Sequence, residues 1–149
     1  AAAGGHVEVV RLLLGAGAKL ETASVHGKTA LMVAANGGHV EVARQLLDEG
    51  AELKAADVQG GTALMYAACG GTGGHVDVVR LLLGEGAELE TADATGKTAL
   101  MHAAIGGHVE VVRLLLGEGA KLETADVKGL TALLWAANGG HAEVVRLLL

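Results

Sequence analysis

The stretch GKTALMVAANGGHVEVARQLLDEGA, residues 27 to 51, predicts two short helices and the break between them. Thr29 offers a hydroxyl that can cap a helix N-terminus, and good helix formers follow it. Gly37 and Gly38 then break that helix. In the second half, Glu41, Arg44, Gln45 and Asp48 recur at i, i+3, i+4 and i+7 and predict one polar face. Val40, Ala43, Leu46 and Leu47 make the opposite, apolar face. Gly50 predicts a left-handed helix end. Residues 51 to 61, AELKAADVQGG, cross to whatever comes next, with Asp57 to Gly60 reading as a turn. Each helix spans about two turns, too short to stand alone in water, so its stability must come from neighbours.

Those neighbours are copies of the same phrase. The triplet Thr-Ala-Leu starts at Thr29, Thr62, Thr98 and Thr131, and a Gly-His pair places His6, His39, His75, His108 and His141. Both series step by 33 residues except once, by 36, where Gly70-Gly71-Thr72 is inserted beside the lone Cys69. A fixed period over the whole chain predicts a repeat array in which each unit rests on the next.

The phrase G-x-TAL-x-x-AA-x-GGHVEVVRLLL-x-x-GA, complete at residues 96 to 120, resembles the ankyrin repeat. The resemblance covers essentially the whole chain. It implies an all-α solenoid of stacked helix-turn-helix units joined by β-turn or hairpin loops. The whole of 1–149 would be a single array, with full repeats at 24–56, 57–92 and 93–125 and partial ones at 1–23 and 126–149. Thr-Ala-Leu-Met stands at 29–32, 62–65 and 98–101, and Thr-Ala-Leu-Leu at 131–134, where the family usually has Thr-Pro-Leu-His. Losing the proline gives up a pre-set φ, and losing the histidine gives up the polar network it usually makes beside the turn. Looser hairpins are the expectation. Glu21, Lys54, Glu90 and Glu123 replace the family's usual asparagine, so asparagine hydroxylation is not expected at those positions.

Positions that differ between units are the candidates for function, because packing suffices to explain the constant ones. In the turns these are His26, Lys28, Gln59, Lys97 and Lys128. The second residue after each Thr-Ala-Leu is Val33, Tyr66, His102 and Trp135, and the first-helix ends hold Asn36, Cys69, Ile105 and Asn138. In proteins of the resembled family, hairpin tips and first helices line a concave groove that binds other proteins. The resemblance therefore implies a non-catalytic interaction module with a protein partner bound at these varied positions. Tyr66 and Trp135 are the only aromatics, and rigid rings are enriched among interface hot spots. Packing against the adjacent helix is the competing explanation for the rings, and exposed turns are polar in any case. A structural spacer without a ligand of its own is the competing function.

Other classes find little support. The formal charge is −6 and the eleven Lys and Arg are scattered, unlike a nucleic-acid or anionic-membrane surface. Charges and glycines cut every apolar run, which predicts no membrane insertion. One cysteine excludes an internal disulfide and suits a reducing, intracellular and cytoplasmic setting. Stacked equivalent histidines would lie roughly 8–10 Å apart, whereas zinc needs nitrogens at about 2.0–2.1 Å. The ladder thus predicts structural histidines and no metal. Glu8/Arg11, Glu41/Arg44, Asp77/Arg80, Glu110/Arg113 and Glu143/Arg146 read as surface pairs worth a few tenths of a kcal/mol each. Cys69, His75 and His102 could supply a thiol–imidazole pair, but no third orienting residue accompanies them. No phosphate-loop lysine or G-x-G-x-x-G is present, so no cofactor is expected.

The array begins inside a first helix and stops inside a second one. Val7, Val10, Leu13 and Leu14 at one end, and Val144, Val145, Leu148 and Leu149 at the other, carry the apolar pattern of internal units. The expectation is an excerpt of a longer array.

The insertion lies between the two helices of a unit, where three added residues cost little closure entropy. It reads as a tolerated indel. An anion site at Gly73-Gly74 is disfavoured by Asp77 one turn later. Deleting Gly70-Gly71-Thr72 should leave the thermal midpoint unchanged or slightly raised. Loss of the cooperative transition would show that the insertion is needed for folding.

Overall fold

The computed structural model describes residues 1–71 and 74–149. The expected tolerance of the insertion falls partly on Thr72, and the anion-site reading partly on Gly73; both residues lie outside the described ones. A short 3-10 turn, Ala2–Gly4, precedes α1 (Val7–Gly15), α2 (Ala30–Asn36), α3 (Val40–Asp48), α4 (Ala63–Cys69) and α5 (Val76–Gly84). Then follow α6 (Ala99–Gly106), α7 (Val109–Gly117), α8 (Ala132–Asn138) and α9 (Ala142–Leu148). Among the described residues there is no strand, only an isolated bridge between Ala56 and Thr62.

The helices form two layers. The first helices α2, α4, α6 and α8 pack on one another in order, and α1, α3, α5, α7 and α9 do the same behind them. Ala34, Ala35, Ala67, Ala68, Ala103 and Ala104 are fully buried, so the first helices approach closely. Val78, Val79, Leu82, Val111, Val112 and Leu115 fill the space between the layers. Burying one such leucine contributes about 1.5–3 kcal/mol, which a lone two-turn helix lacks.

Helix ends follow the sequence closely. The Thr29 and Thr62 hydroxyls accept from the Met32 and Met65 N–H groups at 3.4 Å. Thr98 and Thr131 sit at the same place without that bond. Gly50, at φ +91°, closes α3: its N–H donates to Leu47 and that of Ala51 to Leu46, each at 2.9 Å. Glu41, Arg44 and Asp48 face solvent as expected. Gln45 does not join them. It is half-buried, and its Oε1 is buried without a hydrogen-bond partner among the described residues. The corresponding Leu81, Leu114 and Leu147 are half-buried as well, so this helix position is partly covered in the stacked units; Leu12, in the first unit, is exposed.

One contact joins each unit to the one before it. The His39 Nε2–H donates to the Ala3 carbonyl at 3.0 Å, and His75 to that of Asn36 at 2.9 Å. His141 donates to Ile105 at 2.9 Å, and His108 is hydrogen-bonded by the Cys69 backbone. Each acceptor is the last or next-to-last residue of the helical turn or first helix before it. Burial pushes the His108 imidazole below its ordinary pKa of 6.5, against the opposing pull of that backbone bond. The His75 N–H still reaches the Ala67 carbonyl at 3.0 Å, just as His39 reaches Ala34 at 3.0 Å. The three-residue insertion therefore leaves this junction in register.

The glycine pair is the slot for these rings. A Cβ on Gly37 would come within 2.6 Å of the His39 ring, and one on Gly38 within 2.4 Å of His75 Nδ1. The first glycine thus admits its own unit's ring and the second the ring of the next. Glu21, Lys54 and Glu90 also tie units together. Glu21 accepts the Glu52 N–H at 2.8 Å, Glu90 accepts that of Lys121 at 2.8 Å, and Lys54 pairs with Glu88 at 2.6 Å. On the outer surface Arg113 meets Glu110 and also Glu143 of α9, both at 3.5 Å.

Gly38 and Gly50 both have positive φ, but a Cβ on Gly50 meets open space. Gly50→Ala should cost about 1–2 kcal/mol, the left-handed penalty alone. Gly38→Ala should cost roughly 1–3 kcal/mol more, because it also displaces the His75 ring. Equal losses in urea unfolding would contradict the slot.

Candidate protein-binding groove

The hairpin tips are built on an acidic residue. The Asp57 N–H closes its turn on the Gly61 carbonyl at 3.0 Å, and Asp93 and Asp126 do so on Lys97 and Leu130. In return Asp57 Oδ1 accepts the Gln59 and Gly61 N–H groups at 2.9 and 2.8 Å. Asp93 Oδ1 accepts those of Thr95 and Lys97 at 2.8 and 3.0 Å, and Asp126 Oδ1 those of Lys128 and Leu130 at 2.8 and 3.0 Å. Ser24 stands in this place in the first tip, its hydroxyl accepting from His26 and Lys28 at 3.3 and 3.2 Å. These are side-chain turns that fix the backbone locally. Successive tips are stitched by Val58 N–H to His26, Ala94 N–H to Gln59 and Val127 N–H to Thr95. Pinned tips thus replace the looser hairpins expected from the missing Thr-Pro-Leu-His.

The second carboxylate oxygen holds the varied stripe. Asp57 Oδ2 accepts the Tyr66 hydroxyl, Asp93 Oδ2 the His102 Nε2–H at 2.9 Å, and Asp126 Oδ2 the Trp135 Nε1–H at 3.0 Å. Val33, in the unit with Ser24, has nothing to donate, and Ser24 has no second oxygen to offer. The two positions, nine residues apart, change together.

Charge follows from this wiring. Burial pushes the Asp93 carboxyl up, but bonds from Thr95, Lys97 and His102 outweigh it and bring the group down to about 2. Burial likewise opposes, and hydrogen bonds likewise lower, Asp57 and Asp126. Tyr66 is raised by burial and by its bond to Asp57. Lys28 Nζ lies 4.5 Å from the centre of the Tyr66 ring, and Lys97 Nζ 5.1 Å from that of Trp135. A lysine of one tip thus covers the ring of the next unit.

The sequence-expected residues fall into one band. Val33, Tyr66, His102 and Trp135 are half-buried behind the tips, as are Lys28 and Lys97, while His26, Gln59 and Lys128 are exposed. Asn36, Ile105 and Asn138 are exposed, three residues beyond Val33, His102 and Trp135 on the same helix face. The carbonyls of Asn36 and Ile105 are already taken by the histidine staples. Sequence reasoning missed Asp57, Asp93 and Asp126, although their joint change with the stripe was available in the repeats. Cys69 keeps solvent contact, but its thiol donates to the Tyr66 carbonyl at 3.6 Å, and burial pushes it up. That is the opposite of nucleophile activation. His75 is engaged with Asn36. Among the described residues no group of three His, Cys, Asp or Glu is placed to hold a metal ion. Among the described residues no helix is long and apolar enough to cross a membrane.

The family model for ankyrin repeats (3 copies) matches residues 1–93 and 72–149, which together span the whole chain. No curated protein matches it.

The Asp93 wiring has a pH signature. Its folded pKa is depressed below the ordinary 3.8, so its stabilisation is complete above about pH 4 and is lost as pH falls toward 2. Between about pH 6 and pH 2 the native chain should lose about 2 kcal/mol more than Asp93→Asn. Parallel curves for the two proteins would show that the carboxylate is not held by the tip.

Proposed function

This chain belongs to the ankyrin repeat family, and we propose that it is a non-catalytic module that binds a partner protein in the groove formed by hairpin tips and first helices. Repeats of this family are generally protein–protein interaction modules. Read as repeats at 24–56, 57–92 and 93–125 with partial ones at either end, the array carries its variation on one band. The contact residues are Tyr66, His102 and Trp135 with Val33, flanked by His26, Lys28, Gln59, Lys97 and Lys128 at the tips and Asn36, Ile105 and Asn138 at the helix ends.

The observation that carries this reading is the fixing of the rings. Asp57 and Asp126 hold Tyr66 and Trp135 by hydrogen bonds while the rings remain half-buried. A partner would meet surfaces already ordered, and would avoid roughly 0.5–1.5 kcal/mol of side-chain ordering at each. The partner is a protein rather than a nucleic acid: in the groove Lys28 and Lys97 are turned over rings beside carboxylates, so these two lysines are not presented to phosphates. The free Cys69 fits a reducing, intracellular compartment.

The spacer reading has one observation in its favour. Each ring already has an intramolecular partner, so its presence does not require an external one.

Affinity capture from the source cell separates the two. Trp135→Ala should weaken retention of the partner by about 2 kcal/mol, roughly thirtyfold. Arg113→Ala, on the convex face, should leave it unchanged, with unfolding curves recorded for both. Equal retention by the two variants moves the site off the groove. A native chain that retains nothing leaves the spacer.

A further inference from the structure

The lysine that covers the next unit's ring is present at two junctions and missing at the third. Lys28 lies over Tyr66 and Lys97 over Trp135. The corresponding residue facing His102 is Gly61. A cavity of about 180 Å³ opens there, lined by Asp57, Gly61, Tyr66, Cys69, Asp93 and His102. That is about six times the ~30 Å³ share of a liquid water and enough for a lysine side chain.

The electrostatics of the three junctions differ in the same way. Lys28 acts on Asp57 and Lys97 on Asp126 through their charges. Among the described residues the ion contact of Asp93 is with His102, at 2.9 Å. The His102 ring satisfies Asp93 Oδ2 through one ring nitrogen and supplies no ammonium. The middle junction therefore keeps a carboxylate, the flat face of a ring and an open volume, with no cation in the place where its neighbours have one.

We propose that this gap is a subsite for a basic side chain of the bound protein: a partner lysine enters beside Gly61 and sets its ammonium over the His102 ring, where its charge acts on Asp93. The occupant is identified by the chain itself, which uses a lysine for the same place at both flanking junctions. The Lys97 ammonium is linked to Asp93 Oδ1 through the Thr95 hydroxyl, at 2.8 and 2.6 Å, but among the described residues no lysine covers the His102 ring. A neutral side chain would leave that place without a cation, and the two carboxylates lining the gap would repel an acidic one. The subsite deepens the groove reading and rests on it.

Model compounds test the subsite without the partner. N-acetyl-lysine-N-methylamide, titrated at about pH 8, should give saturable amide shifts centred on Gly61, Asp93 and His102. N-acetyl-norleucine-N-methylamide, which lacks the ammonium, should bind at least about tenfold more weakly. Gly61→Lys supplies the cation from within and should abolish the lysine response; Lys97 shows that the tip accepts this residue. Asp93→Asn keeps the shape of the gap and should reduce the response severalfold. Equal binding of the two compounds, or an undiminished lysine response in folded Gly61→Lys, overturns the proposal. Absence of any response in the native chain does so as well, and leaves the groove reading to its own capture experiment.

Discussion

The hydrogen bond from each staple histidine to the end of the preceding first helix governs most of what this chain can tolerate. Helices of seven to nine residues cannot persist alone, so the junction between units is where stability is made. The imidazole reaches a backbone carbonyl, not a side chain, and the acceptor can therefore be Ala3, Asn36, Cys69 or Ile105 without loss. The donor cannot change so freely, nor can the glycines that make room for it. This explains why the Gly-Gly-His phrase recurs while the residue just before it varies.

A second network sets the side that carries the hairpin tips. Asp57, Asp93 and Asp126 each close a tip with one oxygen and hold a side chain of the next first helix with the other. The tip and the stripe behind it become one rigid piece. Such wiring costs a partner little ordering, and it lets the exposed residues between the fixed points differ from unit to unit. Packing in the two helix layers is left undisturbed, because the tips project beyond it.

Much of this was legible in the sequence, and the reason is periodicity. The 33-residue step, the glycine break and the apolar face of each second helix are local patterns, and each reports directly on burial. The left-handed ends at glycine were legible for the same reason. Gln45 was misplaced because a half-buried helix position cannot be told from an exposed one by spacing within a single helix. Comparison with Leu12, Leu81 and Leu114 would have placed it. The aspartates escaped notice because turn chemistry alone accounts for an Asp at such a place. Their second oxygen acts across nine residues, and only the pairing of Ser24 with Val33 betrays it.

That pairing also separates two kinds of departure from the repeat. In the first tip a serine replaces aspartate and a valine replaces the donor, so neither is left with an unmet hydrogen bond; the change is closed within the unit. Gln45 is different, since its buried oxygen costs stability wherever it finds no donor. Gly61 is different again. Removing the lysine leaves Asp93 wired to its tip and to His102, so the fold loses no hydrogen bond, yet the space and the charge remain. A departure that the fold neither needs nor repairs, placed among residues otherwise arranged in register, is the kind that a binding partner can complete.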